Sequence, residues 1–154
     1  MTPTRIVSGG QTGADRGGLD AARDLGLERG GFCPRGRRAE DGVIPEGYPM
    51  VELATRSYPP RTRANVVGSD ATVVFTYGAP DRGSALTLRL ARAAGKPSLA
   101  MDLAARDDAA AAAELAAWLA AVAAETLNVA GSRESSAPGI AARVRAVILA
   151  GLRR

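Results

Sequence analysis

Short apolar runs alternate along the chain with stretches whose apolar residues recur at helical spacing, and this alternation predicts an α/β fold. The clearest run is Ala71–Thr76, which is apolar or β-branched throughout and is therefore typical of a buried strand. Further along, Leu115, Trp118, Leu119 and Val122 occupy the positions of one helical face. The pattern predicts strands at 5–8, 31–33, 71–76, 98–101 and 126–129, and helices at 14–27, 61–68, 84–94, 104–124 and from 140 onward.

The regular alternation of five strands with helices predicts a parallel sheet covered on both faces. At 154 residues the chain has the length of one domain, so we expect a single doubly wound domain over residues 1–154. Its sheet would be five-stranded and mainly parallel, and we favour the strand order 2-1-3-4-5. In such a sheet every strand ends at one edge, and ligands bind at that edge.

Three glycine-rich loops follow strands on the edge where a ligand would bind. They read SGGQTG at 8–13, TYGAPDRGS at 76–84 and NVAGSRESS at 128–136. Each leads into the start of a helix, which offers free N–H donors and partial positive charge to an anion. The first loop matches neither G-x-G-x-x-G nor the P-loop pattern, so dinucleotide binding and Walker-type ATP hydrolysis lose support. The alternative is that these loops are only tight turns.

A charged segment after the second predicted strand, GFCPRGRRAEDG, supplies further candidate groups. Arg35, Arg37 and Arg38 can bind phosphate or carboxylate oxygens in a forked geometry, or they can pair with Glu40 and Asp41 instead. The full set of candidate ligand-binding residues is Ser8, Gly9, Gly10, Gln11, Thr12, Gly13, Asp15, Arg35, Arg37, Arg38, Glu40, Asp41, Gly78, Gly83, Ser84, Gly131, Ser132, Arg133 and Glu134.

Several candidates have a structural explanation beside the functional one. Asp15 lies in the first turn of a helix, where the dipole favours a carboxylate, but it could also bind a ribose hydroxyl or a pterin amine. Arg133 and Glu134 are either surface residues or close over a ligand. A third group, 61–65, contributes Arg61, Thr62, Arg63 and Asn65, whereas Cys33 fits a small buried apolar residue.

The composition excludes several kinds of chemistry. The chain has no histidine and one cysteine, so Ser–His–Asp and Cys–His nucleophiles are excluded and no protein-ligated metal is expected. The net charge is +4, but the arginines are scattered, and we expect no nucleic-acid partner. We also expect no membrane association and a cytoplasmic location, since the N-terminus lacks a signal-like apolar stretch and no disulfide framework is possible.

Five segments, in order, resemble a known family. They are SGGQTGADRGGLDAA, GGFCPRGRRAEDGVIPEGYP, RTRANVVGSDATVVFTYG, GSALTLRLARAAGKP and LNVAGSRESSAPGI. Together they resemble the molybdenum-carrier (YpsA-like) family. That family is similar to a wider Rossmann-like group, which includes DNA-processing proteins, lysine-decarboxylase-like proteins and cytokinin-activating phosphoribohydrolases. The resemblance implies a parallel α/β domain, often a homodimer or higher homo-oligomer, with nucleotide- or pterin-like phosphate ligands at the glycine loops.

The resemblance favours a binding or carrier protein, and no catalytic residue is assigned. The phosphoribohydrolases carry a Gly-Gly-x-Gly-Thr-x-x-Glu motif with a catalytic Glu. If Gly83-Ser84 matches its Gly-Thr, Thr87 occupies the Glu position. Lys96 starts a strand, so it lies at the wrong end of the sheet for a pyridoxal-phosphate decarboxylase. The expected cargo is a phosphorylated pterin (molybdenum cofactor), a nucleotide or an oxyanion such as molybdate.

The alternative function is that of a nucleotide-processing enzyme that cleaves an N-glycosidic bond, as the phosphoribohydrolases do. Glu40, Asp41 or Asp15 would then have to act as general acid or base. A homodimer is also suggested by the apolar helical face Leu115–Val122, if that face is too large for one domain to bury.

Overall fold

The structure, a computed structural model, describes residues 3–153 and shows one large parallel sheet with helices on both faces. The elements in chain order are β1 (Arg5–Val7), α1 (Ala14–Leu25), β2 (Glu28–Gly30), β3 (Phe32–Cys33), β4 (Arg38–Ala39), β5 (Gly42–Val43), β6 (Val51–Glu52), α2 (Tyr58–Val67), β7 (Ala71–Thr76), α3 (Arg82–Ala93), β8 (Ser98–Asp102), α4 (Asp108–Val122), β9 (Thr126–Gly131) and α5 (Ile140–Leu152). Five of these strands pair in the order β2-β1-β9-β7-β8, and every pairing is parallel.

The α/β fold and the five-stranded sheet are confirmed, but the predicted strand order 2-1-3-4-5 is wrong. The last strand, β9, lies between β1 and β7 and hydrogen-bonds to both. Its residues Leu127, Asn128 and Val129 are buried, as expected for a central strand with helices on both faces. If the strands are counted from β9, the order becomes 3-2-1-4-5, which begins the order of the classic doubly wound fold.

The second predicted strand, 31–33, is also misplaced. The strand that pairs with β1 is β2, whereas Phe32–Cys33 pairs with Val51–Glu52 in a separate small sheet. Gly31 has φ +129°, and a Cβ there would lie 2.0 Å from the carbonyl oxygen of Ser8. The chain therefore turns out of the large sheet at this glycine, a change of direction that the apolar pattern does not encode.

The segment predicted as loop, 35–60, contains the short strands β4, β5 and β6 and the start of α2. Cys33 is fully buried there, packed in a small cluster with Ala39 and Ile44, and burial raises the pKa of its thiol. Helix α2 begins earlier than predicted because Pro59 and Pro60 occupy its first turn, where a missing N–H costs nothing.

The helices cover the sheet in two groups. Helix α5 packs between α1 and α4, while α2 packs against α3. Leu115 and Leu119 of α4 are buried in the main core, and Trp118 and Val122 pack against it half-buried. The apolar face of α4 is therefore largely covered by its own chain and gives no support to the predicted homodimer. Across residues 3–153, none of the helices is both long and apolar enough to cross a membrane.

Candidate functional site

The three glycine-rich loops lie side by side, because β1, β9 and β7 are neighbours in the sheet. Between them is an open cleft of about 370 Å³, within the size range of small-molecule sites. The cleft lies at the carboxyl ends of β9 and β7, where the strand order reverses and doubly wound sheets bind ligands. Its walls consist of Gln11, Asp15, Tyr58, Pro59, Arg61, Thr62, Asp81, Arg82, Gly83, Ser84, Leu86, Thr87, Ala130, Gly131, Arg133 and Ser136.

Three buried polar atoms on the walls of this cleft have no hydrogen-bond partner. They are Nε2 of Gln11, Nε of Arg61 and Oγ of Ser84, and they are the only such side-chain atoms within residues 3–153. A buried donor without a partner costs about 1–3 kcal/mol, so proteins seldom leave one unpaired. The three residues that carry these atoms all line this one cleft.

The orientation of the Gln11 amide is set by its neighbours. Its Oε1 accepts the backbone N–H groups of Thr12 at 3.1 Å and Glu40 at 2.8 Å. Because both partners are N–H donors, the oxygen must face them, and the amino group is left as the donor at the cleft. Gln11 is only 5% exposed, and its Nε2 is buried without a hydrogen-bond partner.

Arg61 enters the cleft wall from α2 across the backbone of Gly9. A Cβ at Gly9 would lie 2.7 Å from Nε of Arg61, so only glycine leaves room for the guanidinium. Nη1 donates to Oγ1 of Thr62 at 2.9 Å. The ring of Tyr58 contacts the guanidinium groups of Arg61, Arg38 and Arg133, with Cζ atoms 5.1, 4.6 and 5.2 Å from its centre. These cation–π contacts gather positive charge at the rim.

The start of α3 forms the opposite wall. Asp81 caps this helix, and its carboxylate accepts the N–H of Ser84 at 2.8 Å. The Ser84 side chain is 2% exposed, and its hydroxyl is the third unpartnered group. Thr87, one turn later, donates its hydroxyl to the carbonyl of Gly83 at 2.9 Å. The side chains of Asp81 and Thr87 are thus hydrogen-bonded to the backbone of α3, whereas the buried hydroxyl of Ser84 has no partner.

Asp15 is the buried acid of the cleft and is 5% exposed. Burial raises the pKa of its carboxyl to about 6, and the charge of Arg61 together with the amides of Gln11 and Gly9 limits that rise. Its Oδ2 accepts the N–H of Gln11 at 3.1 Å. Asp15 thus occupies the first turn of α1, where the helix dipole favours a carboxylate, while burial raises its pKa.

The amides of the first loop are already bonded, which changes the expected mode of anion binding. The N–H of Gly10 donates to Oγ of Ser8, that of Gln11 to Asp15, and that of Thr12 to the Gln11 side chain. These groups shape the loop and are not free for a ligand. The main-chain N–H groups of Gly10, Gln11 and Thr12 are therefore not among the free donors that a helix start was expected to offer.

The first and third loops are joined to each other beside the cleft. Glu40 accepts the hydroxyls of Thr12 and Ser135, the latter at 2.5 Å, and these bonds lower the pKa of its carboxyl against the opposing effect of burial. A Cβ at Gly13 would lie 2.3 Å from the carbonyl of Ser132, which shows how closely the loops pack.

The other third-loop candidates divide between structure and the cleft. Glu134 caps α5 by accepting the N–H groups of Gly139 and Ala141. Arg133 lines the cleft, as does Gly131, whose φ of +146° lets the chain pass the neighbouring strand.

Most of the charged candidates after β3 lie outside the cleft. Arg37 has a positive φ of 54° and binds the carbonyls of residues 44, 45 and 48, while Arg35 is exposed. Asp41 forms an ion pair with Arg16 of α1 at 2.6 Å and not with the arginines of its own segment. Glu40 instead accepts the hydroxyls of Thr12 and Ser135. Gly78, near the start of the second loop, donates its N–H to the carboxylate of Asp102 at the end of β8.

Residues 6–152 match the model of a family described as "Circularly permutated YpsA SLOG family". The chain belongs to this family. This chain is similar to the crystal structure of "Putative molybdenum carrier protein" from Syntrophus aciditrophicus SB, with a TM-score of 0.95 and 38% sequence identity. The match covers 98% of this chain and 96% of the Syntrophus chain. The comparison with curated proteins found no match. The predicted family is confirmed.

Membership in the permuted YpsA SLOG family agrees with the strand order. Transferring β9 and α5 from the end of the chain to its start would restore the consecutive order of a doubly wound sheet. The cleft then lies beside the strand that comes first in the unpermuted order. Neither the family nor the related structure is named for an enzymatic activity.

Several residues that line the cleft in this YpsA SLOG chain were not predicted. Tyr58 falls in the segment 35–60, which the sequence pattern predicts to be a loop but which contains the start of α2. Ser136 and Arg82 carry no sequence signal of their own. Asp81 could have been found, since an Asp three residues before Ser84 is a capping pattern. Of the group at 61–65, Arg61 and Thr62 line the cleft, whereas Arg63 is exposed and the Asn65 amide binds both backbone groups of residue 32.

Metal ligation by side chains has no visible basis in the part of the chain that is described. Over residues 3–153, no group of three or more His, Cys, Asp or Glu side chains is placed to hold an ion. Lys96 donates to the carbonyls of Val67 and Ser69 before β8, at the edge of the sheet opposite the cleft.

Proposed function

We propose that this chain binds and carries a small phosphorylated ligand, or a related oxyanion, in the cleft at the ends of β9 and β7. The observation that carries the proposal is the set of three buried, unpartnered donors, Gln11 Nε2, Arg61 Nε and Ser84 Oγ. Phosphate oxygens are hydrogen-bond acceptors, so a phosphorylated ligand would supply partners for such donors. Arg82 and Arg133 at the rim add positive charge.

The charge balance of the cleft supports an anionic ligand. Within residues 3–153, none of Arg61, Arg82 and Arg133 forms an ion pair with a carboxylate. The walls carry two acids, Asp15 and Asp81, so these three arginines outnumber the carboxylates and leave the cleft with a net positive charge. The cleft therefore attracts a negative group.

Among phosphorylated ligands, we favour a pterin such as the molybdenum cofactor, with a nucleotide as the next candidate. The related structure from Syntrophus aciditrophicus is named a molybdenum carrier, and 38% identity supports extending that cargo to this chain. The residues fit such cargo: Arg61 and Ser84 would hold the phosphate, and Gln11 would hold a further acceptor. The metal would arrive bound to the pterin's own sulfur atoms, so no protein ligand is needed.

Calorimetric titration with molybdenum cofactor, a nucleoside monophosphate and molybdate tests the proposal. We expect binding of at least one of them without turnover, and about tenfold or more weaker binding in Ser84→Ala, since a hydrogen bond to a charged group contributes about 1.5–3 kcal/mol. Ser98→Ala is the matched control, because Ser98 starts β8 at the opposite edge of the sheet. Absence of binding by all three ligands would overturn the proposal.

A second candidate function, cleavage of an N-glycosidic bond in a nucleotide, rests on Asp15. A buried carboxyl whose pKa is raised to about 6 can act as a general acid or base near neutral pH. Glu40 and Asp41 are bonded elsewhere, so Asp15 is the remaining carboxylate for that role. Incubation with a panel of nucleoside monophosphates, followed by chromatography for free base, tests this candidate. It requires base release by the wild type and its loss in Asp15→Asn.

The homodimer and the cytoplasmic location stay predictions. Light scattering coupled to gel filtration would measure the oligomeric state directly. A mass near the monomer value of the 154-residue chain would remove the homodimer from the proposal.

A further inference from the structure

The cleft contains one buried acid among its donors, and this combination is unusual for an anion site. Asp15 lines both the main cleft and a small polar recess beside it, which is lined also by Arg61, Thr62 and Asn128. An ionised carboxylate has only acceptor atoms, so it repels the oxygens of an anion bound nearby. A protonated carboxyl instead donates an O–H to that anion.

The charged groups around Asp15 come from three helices and one loop. Arg61 faces it from α2, and Arg16 acts on it from its own helix. Asp81 and Arg82 stand at the start of α3, and Arg133 stands on the loop after β9. The chain has no histidine that could titrate in this range.

On the basis of the proposed function, we propose that Asp15 couples anion binding in the cleft to the uptake of one proton. The proton comes from solvent and remains on the Asp15 carboxyl, whose O–H then donates to the bound anion, and no covalent bond to the ligand forms. The cleft therefore holds a fully deprotonated oxyanion in mildly acidic solution and releases it as the pH rises. Asp15 thus contributes a hydrogen bond to the bound anion only when its carboxyl is protonated.

The expected size of this coupling follows from the fraction of protein that carries the proton. Burial, opposed by Arg61, raises the pKa of Asp15 to about 6. Since apparent affinity scales with the competent fraction, affinity for a deprotonated anion falls about tenfold per pH unit above 6, and roughly 90-fold between pH 5 and pH 8. At pH 7.5 almost all free protein is ionised, so binding takes up about one proton per ligand.

The same arrangement distinguishes anions by the hydrogen that they carry. Inorganic phosphate keeps a hydrogen as HPO₄²⁻ and can donate it to the ionised Asp15 carboxylate. Sulfate and molybdate have no hydrogen at neutral pH and depend on protonation of Asp15. A phosphate monoester dianion behaves like sulfate in this respect. The preference for inorganic phosphate over sulfate should therefore increase about tenfold per pH unit above pH 7.5.

Calorimetric titrations with sulfate and with inorganic phosphate, from pH 5.5 to pH 8.5, test the inference. Repeating each in two buffers of different ionisation enthalpy gives the number of protons taken up. We expect about one proton for sulfate at pH 7.5, and a sulfate affinity that falls with pH while that for phosphate stays nearly constant above pH 7.5.

Two variants separate this inference from the proposed function. Asp15→Asn should bind sulfate without proton uptake and with an affinity that does not depend on pH, since the amide oxygen still accepts the N–H of Gln11. Asp24→Asn, on the same helix but paired with Arg145, should behave as wild type. Wild-type binding with no proton uptake, or an unchanged pH profile in Asp15→Asn, would overturn the inference alone. A wild type that binds neither anion at any pH would count against the proposed function as well.

Discussion

Replacing Gly9 with alanine tests whether the backbone of the first loop positions the Arg61 guanidinium. The new Cβ would lie 2.7, 2.8 and 2.9 Å from Nε, Cζ and Cδ of Arg61. Ordinary carbon contacts are about 3.5–4.0 Å, so the guanidinium must move by about 1 Å. Gly9 does not have a positive φ, so alanine fits its backbone conformation and the side chain of Arg61 takes up the change.

A displacement of about 1 Å removes the hydrogen bond that Nε of Arg61 would donate to a bound phosphate. The loss corresponds to about 1.5–3 kcal/mol for a charged hydrogen bond, or roughly 10- to 150-fold weaker binding. Because Arg61 lowers the pKa of Asp15, that pKa should also rise above its value of about 6 in Gly9→Ala. This second effect needs no ligand.

Calorimetry with a nucleoside monophosphate or molybdenum cofactor measures the first effect, and NMR titration of the Asp15 carboxyl carbon measures the second. Gly47→Ala is the matched control, because nothing lies within 4 Å of a Cβ at that position. The melting temperature of Gly9→Ala should stay within about 4 °C of wild type, which corresponds to about 1 kcal/mol. Unchanged affinity together with an unchanged Asp15 pKa would refute the view that Gly9 sets the position of Arg61.

Three further substitutions test the packing and the electrostatics around the cleft. Gly131→Ala should lower the free energy of unfolding by about 2–5 kcal/mol in urea titrations, because φ is +146° and the Cβ would lie 2.0 Å from a carbonyl oxygen of the neighbouring strand. Gly42→Ala is the control, since Gly42 also has a positive φ but nothing lies within 4 Å of its Cβ, and it should lower that free energy less. Equal losses in the two variants would contradict the steric argument. The pKa of Asp15 is raised from 3.8 to about 6, so the stability that its protonated form contributes is lost as the pH rises through 6. When the pH is lowered from 7.5 to 4.5, the free energy of unfolding of the wild type should increase by about 2 kcal/mol relative to that of Asp15→Asn in urea titrations. A difference that stays constant with pH would show that the pKa of Asp15 is not raised by folding. Glu40→Gln weakens the hydrogen bonds that join the first and third loops, so the backbone amide of Ser135 should exchange faster in hydrogen-exchange NMR. An unchanged exchange rate would show that Glu40 does not hold the two loops together.

The longer strands and the helices followed from local patterns in the sequence, whereas β2, β4, β5 and β6 did not. Ala71–Thr76 was predicted with the bounds that the structure has, because a run of apolar and β-branched residues is a local signal. Helix α1 ends at Leu25, two residues before the predicted bound, because Gly26 adopts a left-handed conformation and caps it. The position of β9 in the sheet could not be predicted, since strand order depends on how helices pack across the sheet and not on any segment alone.

The candidate site was predicted in outline, at the carboxyl ends of strands that carry glycine-rich loops, but the groups that face the cleft were predicted less well. The sequence pointed to main-chain N–H groups near Gly10, yet these amides bond to side chains of their own loop. It placed Arg61 in a third candidate group, and the structure makes that residue part of the cleft wall. Hydrogen-bond partners within a loop depend on rotamers and on backbone turns, which residue types alone do not define.

The sequence by itself determined the class of the fold, the locations of its helices and the absence of histidine chemistry, because periodicity and composition act locally along the chain. Only the tertiary structure decided that the last strand enters the middle of the sheet. That placement brings the second and third glycine loops together beside Arg61 and Asp15. It also leaves three donors unpaired in one cleft, because a donor is satisfied or orphaned only by groups that folding brings near it.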